Sequence, residues 1–429
     1  MRTRFAEEAL ADPDFAASEK EIRRCVHCGF CLATCPTYVL LGDELDSPRG
    51  RIALMQEMLE GARTPSAEVV KHIDRCLSCL ACATTCPSGV DYGRLVDHAR
   101  GYIEQRYRRP LAERLWRWLL ARTLPSPARL RQALAFARPF RPLAPLVGRI
   151  KALAPLAAML ALTPRHPAPE AAAARMPPAG RRLRAALLGG CAEPVLRPEI
   201  RAASVRLLER AGFDVGLAAG EVCCGALAHH MGRREEALAA ARRNIGAWSG
   251  EIEAGGLAAI VATASGCGTM LKDYGRLLRG DSAWAAKAAE VSSLARDICE
   301  LLDEAGLPPV TSGEPLSVAY LAPCSLQHGQ GVTAAPQRLL RAAGFEVREP
   351  DEAHLCCGSA GTYNILQSQI AGALKARKVQ RLAATGASVV AAGNIGCLTQ
   401  IGGAAGAPAV HPVELLDWAT GGPRPARLG

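Results

Sequence analysis

The 429-residue sequence predicts an α+β multidomain chain: a small α-helical, cysteine-rich N-terminal domain, then two duplicated α/β domains. Three observations carry this. Eight cysteines fill two identical runs within the first hundred residues. Cysteine-bearing segments of the C-terminal part recur at a lag of 133 residues, Cys191 to Cys324 and Cys223 to Cys356. Each recurring copy alternates short apolar runs with helical stretches, which favours a mainly parallel sheet with helices around it.

Composition narrows the function classes. Aromatics are only 4%, so Ala, Leu and Val must build the cores. The net charge of +10 suits an anionic membrane surface, an acidic partner or nucleic acid. Nucleic acid is the reading set aside, because the cysteine motifs already account for the chain. Seventeen cysteines suit either a secreted disulfide framework or metal sites in a reducing compartment. Residues 1–15 carry Glu7, Glu8, Asp12 and Asp14 and no apolar run, so no secretory signal is expected. A chain this long also has core enough without disulfide staples. The cysteines therefore read as reduced and mostly ligating, in a cytoplasmic protein. No apolar run reaches the roughly 18–20 residues of a spanning helix. The longest, 152–164, is interrupted by Pro155. The expectation is a soluble protein or one peripheral to the inner face of the cell membrane.

Four regions follow in order: 1–104, 105–182, 183–312 and 313–429. In the first, Ser18 with Glu21 forms a candidate capping box. Between its two cysteine runs, residues 51–59 put Ile52, Met55, Met58 and Leu59 on one helical face. The second region is a basic, Pro/Ala/Arg-rich helical linker without cysteine. Its stretch 106–151 mixes Arg with Trp116, Trp118, Leu and Phe. Such a segment can lie on an anionic membrane, dock on a partner, or pack on its own domains.

The third and fourth regions are the two copies. "LLERAGFDV" (207–215) recurs as "LLRAAGFEV" (339–347), and "ELLD" occurs at 300–303 and 414–417. Strands are predicted within 183–190, 257–264, 316–323 and 387–393. Gly212 and Gly344 suit helix C-termini.

The two N-terminal runs carry the chemistry. They read Cys25-x₂-Cys28-x₂-Cys31-x₃-Cys35-Pro36 and Cys76-x₂-Cys79-x₂-Cys82-x₃-Cys86-Pro87. Two-residue gaps let one tight loop offer three thiolates to one 4Fe–4S cubane. The fourth cysteine, before a chain-bending proline, reaches the other cluster. Cluster one is thus assigned Cys25, Cys28, Cys31 and Cys86, and cluster two Cys76, Cys79, Cys82 and Cys35. Gly29 is expected to spare a Cβ where the backbone curls against the cluster. Zinc is the competing reading, but it normally takes four ligands from two CxxC pairs. His27 reads as a loop residue beside the cluster.

The copies carry a second pattern, Cys…CysCysGly…Cys. It comprises Cys191, Cys223, Cys224 and Cys267, then Cys324, Cys356, Cys357 and Cys397. These are candidate ligands of further clusters or redox thiols; retention as structural cysteines is the alternative. Cys299 reads as a plain buried thiol. His229 and His230 read as surface or helix-terminal residues. No GxGxxG lies in a strand-to-helix context, so neither an FAD nor an NAD site is expected. No Ser/His/Asp or paired-carboxylate arrangement is legible, so no catalytic residue is assigned.

The segment "CVHCGFCLATCPTYVLLGDELDSPRGRI" (25–52), the second motif, and the two copies ending "ASGCG" and "GNIGC" closely resemble the iron–sulfur subunits of bacterial glycolate oxidases (glycolate dehydrogenases). The resemblance runs nearly end to end and is weakest over about 110–180. The wider family contains subunits of anaerobic glycerol-3-phosphate dehydrogenase, D-lactate oxidation systems and heterodisulfide reductases. It implies an α-helical ferredoxin-like domain followed by two cysteine-rich CCG domains. It also implies an electron-transfer subunit that is not catalytic alone. FAD-containing partner subunits would oxidise glycolate to glyoxylate, and electrons would pass toward membrane quinone or another acceptor. The eight N-terminal cysteines carry over one for one. The heterodisulfide reductase pattern has a further cysteine where this chain has Ala264 and Asn394. That departure argues against the special cluster of those enzymes and against disulfide reduction.

Overall fold

The computed structural model describes residues 2–169, 175–311 and 314–429. Residues 170–174 of the expected linker and 312–313 at the expected junction of the copies lie outside these.

The N-terminal domain is helical. Its first long helix, Pro13–Arg24, starts at a proline that needs no backbone partner. Asp12 caps it, its carboxylate accepting the Asp14 N–H at 2.7 Å. The expected capping box at Ser18 and Glu21 is therefore wrong, because the Asp12–Pro13 pair opens the helix earlier. Ser18 is mid-helix and fully buried, its hydroxyl 2.6 Å from His98 Nδ1. Glu21 instead accepts the Asp91 N–H at 2.7 Å.

The helix Pro48–Glu60 buries Ile52, Met55, Met58 and Leu59 as its periodicity predicts, and buries Arg51 as well. These side chains share a core with Ile22, Ile73, Leu95, Val96 and Ile103.

Each C-terminal copy is a four-stranded, wholly parallel sheet. In the first, β1 (Leu183–Leu187), β2 (Phe213–Gly216), β3 (Ala259–Ala262) and β4 (Ala295–Asp297) lie in the order β2-β1-β3-β4. In the second, β5 (Ser317–Tyr320), β6 (Glu346–Arg348), β7 (Val389–Ala391) and β8 (Ala409–Val410) repeat that order as β6-β5-β7-β8. The central strands β3 and β7 read as unbroken apolar runs because helices cover both faces, whereas β1 carries Arg184, paired with Glu251 at 2.5 Å. Gly212 and Gly344 take φ of +98° and +88° after their helices, where a Cβ would be strained. One apolar core joins the copies, with Leu207, Val261 and Leu302 against Val318, Leu340 and Leu416.

The linker helices Leu111–Thr123, Pro127–Ala137 and Ala154–Leu162 bury Leu120, Leu130 and Leu160. Arg117, also buried, donates to the Met231 carbonyl at 3.0 Å and so fixes the first of them to the first copy. On the solvent side, Leu111, Leu115, Trp118, Phe136, Phe140 and Leu146 are exposed. The linker thus packs on its own domains and still presents an apolar face. No helix among the described residues is long and apolar enough to cross a membrane.

Candidate metal centres

The two N-terminal loops have the same backbone. His27 and Ser78 are left-handed, at φ +55° and +51°, and so are Gly29 and Leu80, at +86° and +63°. Each pair is separated by 51 residues, the lag between Cys25 and Cys76. Two left-handed residues curl each loop, and in the first loop Cys25, Cys28 and Cys31 line one pocket. The role expected for Gly29 needs correcting. A Cβ there would meet the Arg49 guanidinium at 2.8 Å, while Leu80 takes the equivalent conformation with a side chain.

The thiols group across the motifs. One pocket is lined by Cys25, Cys28, Cys31, Cys82 and Cys86. Cys79 lies within electrostatic reach of Cys35 and Cys76, and Cys82 of Cys79, Cys76 and Cys35. Thiols of the two runs thus lie beside one another across the motif boundary. The proline after Cys35 starts a helix at Pro36 and so carries the chain away.

The donor set fits a cluster and not a single ion. Tetrahedral zinc with Zn–S bonds of about 2.3 Å needs sulfurs roughly 4 Å apart. Among the described residues, the only trio of potential ligands within 4.8 Å is Asp43, Asp46 and His72. Asp46 there is held by two arginines, Arg51 at 3.2 Å and Arg75 at 2.6 Å, which makes it an ion-pair centre. Among the described residues no three of the eight thiols lie within 4.8 Å of one another, a spacing that suits a cubane and not one ion. Burial raises the Cys31 thiol to about 11 and pushes Cys79 and Cys82 well up. Metal binding must displace those protons, so cluster assembly and folding are coupled.

The duplicated cysteines also converge, and topology explains how. Cys191 follows β1, Cys223 and Cys224 follow β2, and Cys267 follows β3. All three are carboxyl ends of adjacent strands, and β1 is where the strand order reverses, the usual place for a site in an open parallel sheet. Cys324, Cys356, Cys357 and Cys397 repeat this on β5, β6 and β7. Cys324 and Cys356 are 3.8 Å apart, and Cys357 and Cys397 are 3.5 Å apart. Gly225 and Gly358 have φ of +89° and +86°, and a Cβ would meet the Ala237 and Ala371 carbonyls at 3.1 and 2.7 Å. The glycine after each cysteine pair is thus needed for the turn to lie against its helix. Asn394, which replaces a cysteine of the related pattern, donates to Cys397 Sγ at 3.5 Å.

A buried residue beside the cysteines differs between the copies. The helices Arg234–Gly255 and Ser368–Ala384 follow the glycines and align through Ala237 and Ala371. That alignment pairs Asn244 with Lys378. Asn244 joins the Cys223 carbonyl, at 3.2 Å, to the Tyr274 hydroxyl. Lys378 is 2% exposed, donates to the Glu352 carbonyl at 2.7 Å and feels Cys356, Cys357 and Cys397. The second site is therefore built beside a cation and the first beside a neutral amide.

The second site also abuts the N-terminal domain. Leu77, Cys79 and Ala81 share one apolar cluster with Cys356, Tyr363 and Leu374, and Cys324 packs against it. Thr84 Oγ1 lies 2.8 Å from His328 Nδ1 across the same boundary. Cys299 is buried in the core that joins the copies, as expected of a plain buried thiol. His229 and His230 end a short helix and both face Asp97, at 3.3 and 3.1 Å, so they brace the first copy against the N-terminal domain. The sequence reading missed the Asp46–Arg51–His72–Arg75 network and Lys378. Arg51 falls on the apolar face with Met55 and Met58, and that signal was available.

These features define a dicluster iron–sulfur protein fused to a duplicated cysteine-rich domain. Residues 21–90 match the 4Fe–4S dicluster domain family, and 185–272 and 318–402 match the CCG cysteine-rich domain family. The chain is 40% identical over 419 residues to the glycolate oxidase iron–sulfur subunit of Escherichia coli strain K12, covering 98% of this chain and 99% of that one. It is 33% identical to the probable glycolate oxidase iron–sulfur subunit of Bacillus subtilis strain 168, covering 94% and 95%. It is 31% identical to lactate utilization protein A of Macrococcus caseolyticus over 55% of this chain and 96% of that one. The crystal structure of a hypothetical protein from Helicobacter pylori shares the fold, with a TM-score of 0.59 at 10% identity, covering 97% of this chain and 74% of that one. The chain belongs to the glycolate oxidase iron–sulfur subunit family.

Proposed function

We propose that this chain is the electron-relay subunit of a glycolate-oxidising complex. FAD-containing partner subunits take the electrons from glycolate, and this chain passes them toward membrane quinone or another acceptor. The observation that carries the reading is the contact between centres. Cys79 of the dicluster domain shares an apolar cluster with Cys356 of the second cysteine-rich copy, and Cys324 packs against it. A protein that only stapled its fold with metal would not need its sites side by side.

Cys25, Cys28, Cys31 and Cys86 hold one cluster, and Cys35, Cys76, Cys79 and Cys82 hold the other. Cys191, Cys223, Cys224 and Cys267, with their counterparts Cys324, Cys356, Cys357 and Cys397, are candidate ligands of further centres. Bound there, 4Fe–4S clusters supply one-electron transfer. The protein's part is to exclude water from Cys79 and Cys82 and to fix the thiols by the left-handed turns of both loops.

The linker gives the means of approach to a membrane on its cytoplasmic face. Its exposed Trp118, Phe136 and Leu146 stand among arginines, and each cation near an anionic leaflet contributes about 1 kcal/mol. Vesicle sedimentation tests this. Binding to anionic vesicles should fall with salt, and Trp118→Ser with Phe136→Ser should weaken it about tenfold or more. Equal binding to neutral vesicles in high salt would contradict the electrostatic part.

Function is tested by purifying the native complex and assaying it on glycolate, D-lactate and glycerol 3-phosphate. Glycolate should be the best substrate, and the isolated chain should oxidise none of the three. Preference for D-lactate or glycerol 3-phosphate would move the chain to a sister system.

A further inference from the structure

We propose that Arg51 is a redox-tuning residue that selectively raises the reduction potential of the cluster held by Cys35, Cys76, Cys79 and Cys82. The inference rests on the cluster assignment above and goes beyond it, because it sets apart two centres that the motifs leave alike.

Arg51 is 1% exposed and every arm of its guanidinium is engaged. Nε donates to the His72 carbonyl at 2.7 Å. One terminal nitrogen donates to Thr37 Oγ1 at 3.0 Å and Asp46 Oδ1 at 3.2 Å. The other points at Cys35 Sγ at 3.9 Å. Arg51 also feels Cys76, so its charge falls on ligands drawn from both motifs. Thr37 donates to the Asp46 carbonyl at 2.7 Å and lies 3.3 Å from Cys35 Sγ. His72 Nδ1 lies 2.9 Å from Asp46 Oδ1, and Arg75 binds Asp46 Oδ2 at 2.6 Å.

Two arginines therefore face one carboxylate, which leaves a surplus of positive charge beside these sulfurs. A reduced cluster carries one more negative charge than an oxidised one, and potentials follow net charge and hydrogen bonds to sulfur. A buried cation fixed at a ligand favours the reduced form, and water cannot screen it. At the other cluster the arginine against the loop, Arg49, is partly exposed and paired with Glu44 at 2.6 Å, not buried against a ligand as Arg51 is.

The test is a redox titration of the cluster-loaded full chain, followed by paramagnetic resonance with dithionite as reductant. Arg51→Met should lower one cluster's potential by at least a tenfold change in its one-electron equilibrium, 59 mV. The other cluster should stay in place. Arg51→Lys should restore most of the shift. Asp46→Asn should raise the same cluster, because it removes the opposing charge and keeps hydrogen-bonding capacity. Opposite signs cannot come from general loosening of the site. Iron and sulfide content checks that both clusters are present. A wild-type chain without cluster signals would sink the assignment on which the inference rests. Clusters present, with neither moved by Arg51→Met or both moved equally, would overturn the tuning role. If Arg51→Met fails to fold, Asp46→Asn decides, and no rise in one cluster overturns it.

Discussion

The Tyr363 hydroxyl donates to the backbone carbonyl of Arg75 at 2.9 Å, next to Cys76. A residue of the second cysteine-rich copy thus closes the polypeptide around one cluster loop. The ring is buried with Leu77 and Cys356, so the bond lies in an apolar setting. Tyr363→Phe would leave that carbonyl without this partner and should destabilise the chain by about 1–3 kcal/mol. Thermal unfolding measures it. An unchanged midpoint would mean that water replaces the hydroxyl.

Ligand crossing predicts which cluster each mutation damages. Cys86 lines the pocket of Cys25, Cys28 and Cys31. Cys86→Ala should therefore abolish or convert that cluster and spare the other. Cys35→Ala should do the reverse. Iron and sulfide analysis of the wild-type N-terminal domain should give about eight of each. Damage confined to the cluster of the mutated residue's own motif would refute the crossed assignment.

Lys378 predicts a difference between the copies. Its ammonium is buried beside three thiols, where Asn244 is neutral. If the second copy holds an anionic metal–thiolate centre, Lys378→Met should weaken metal retention there by about 10–100-fold. The N-terminal clusters should be spared. Elemental analysis after mild chelation reads this. Unchanged metal would reduce Lys378 to its bond with the Glu352 carbonyl.

His411 predicts a pH dependence. It caps the helix Pro412–Ala419, and its Nε2 lies 2.9 Å from the Thr263 carbonyl of the other copy. Burial lowers its pKa from 6.5 to about 4. The unfolded chain then takes up a proton below pH 6.5 while the folded chain does not. Its contribution is full above pH 6.5 and is lost as pH falls toward 4, up to about 3 kcal/mol. Burial raises Asp297 to about 7, which acts in the opposite direction over nearby pH. The informative quantity is therefore wild type minus His411→Asn, measured by denaturant unfolding at several pH values. A difference that does not vary between pH 7 and 5 would contradict the buried neutral imidazole.

Much of this was legible in the sequence because the signals are local or strictly repeated. The cysteine runs specify loops by spacing alone, and the 133-residue lag specifies two equal domains. Strands β1, β3, β5 and β7 announce themselves because burial on both faces makes them largely apolar, with Arg184 in β1 and Ser317 in β5 the exceptions. Their partners β2, β4, β6 and β8 have only two to four residues, too few for a period to show. Ser18 was misread because a local capping pattern also arises inside a helix whose real start is Asp12–Pro13. The charge network escaped for a different reason. Asp46, Arg51, His72 and Arg75 come together only in the folded domain; Arg51 alone signals burial, by its place on the apolar face with Met55 and Met58, and the other three read as surface residues. The same holds for Cys79 and Cys324, 245 residues apart, since 324 − 79 = 245.

The most direct test of the relay is rapid-freeze paramagnetic resonance on the complex reassembled with its flavoprotein partners. Glycolate should reduce the clusters of this chain within a single turnover, and removing the acceptor should leave them reduced. Clusters that stay oxidised while glyoxylate forms at full rate would contradict the account.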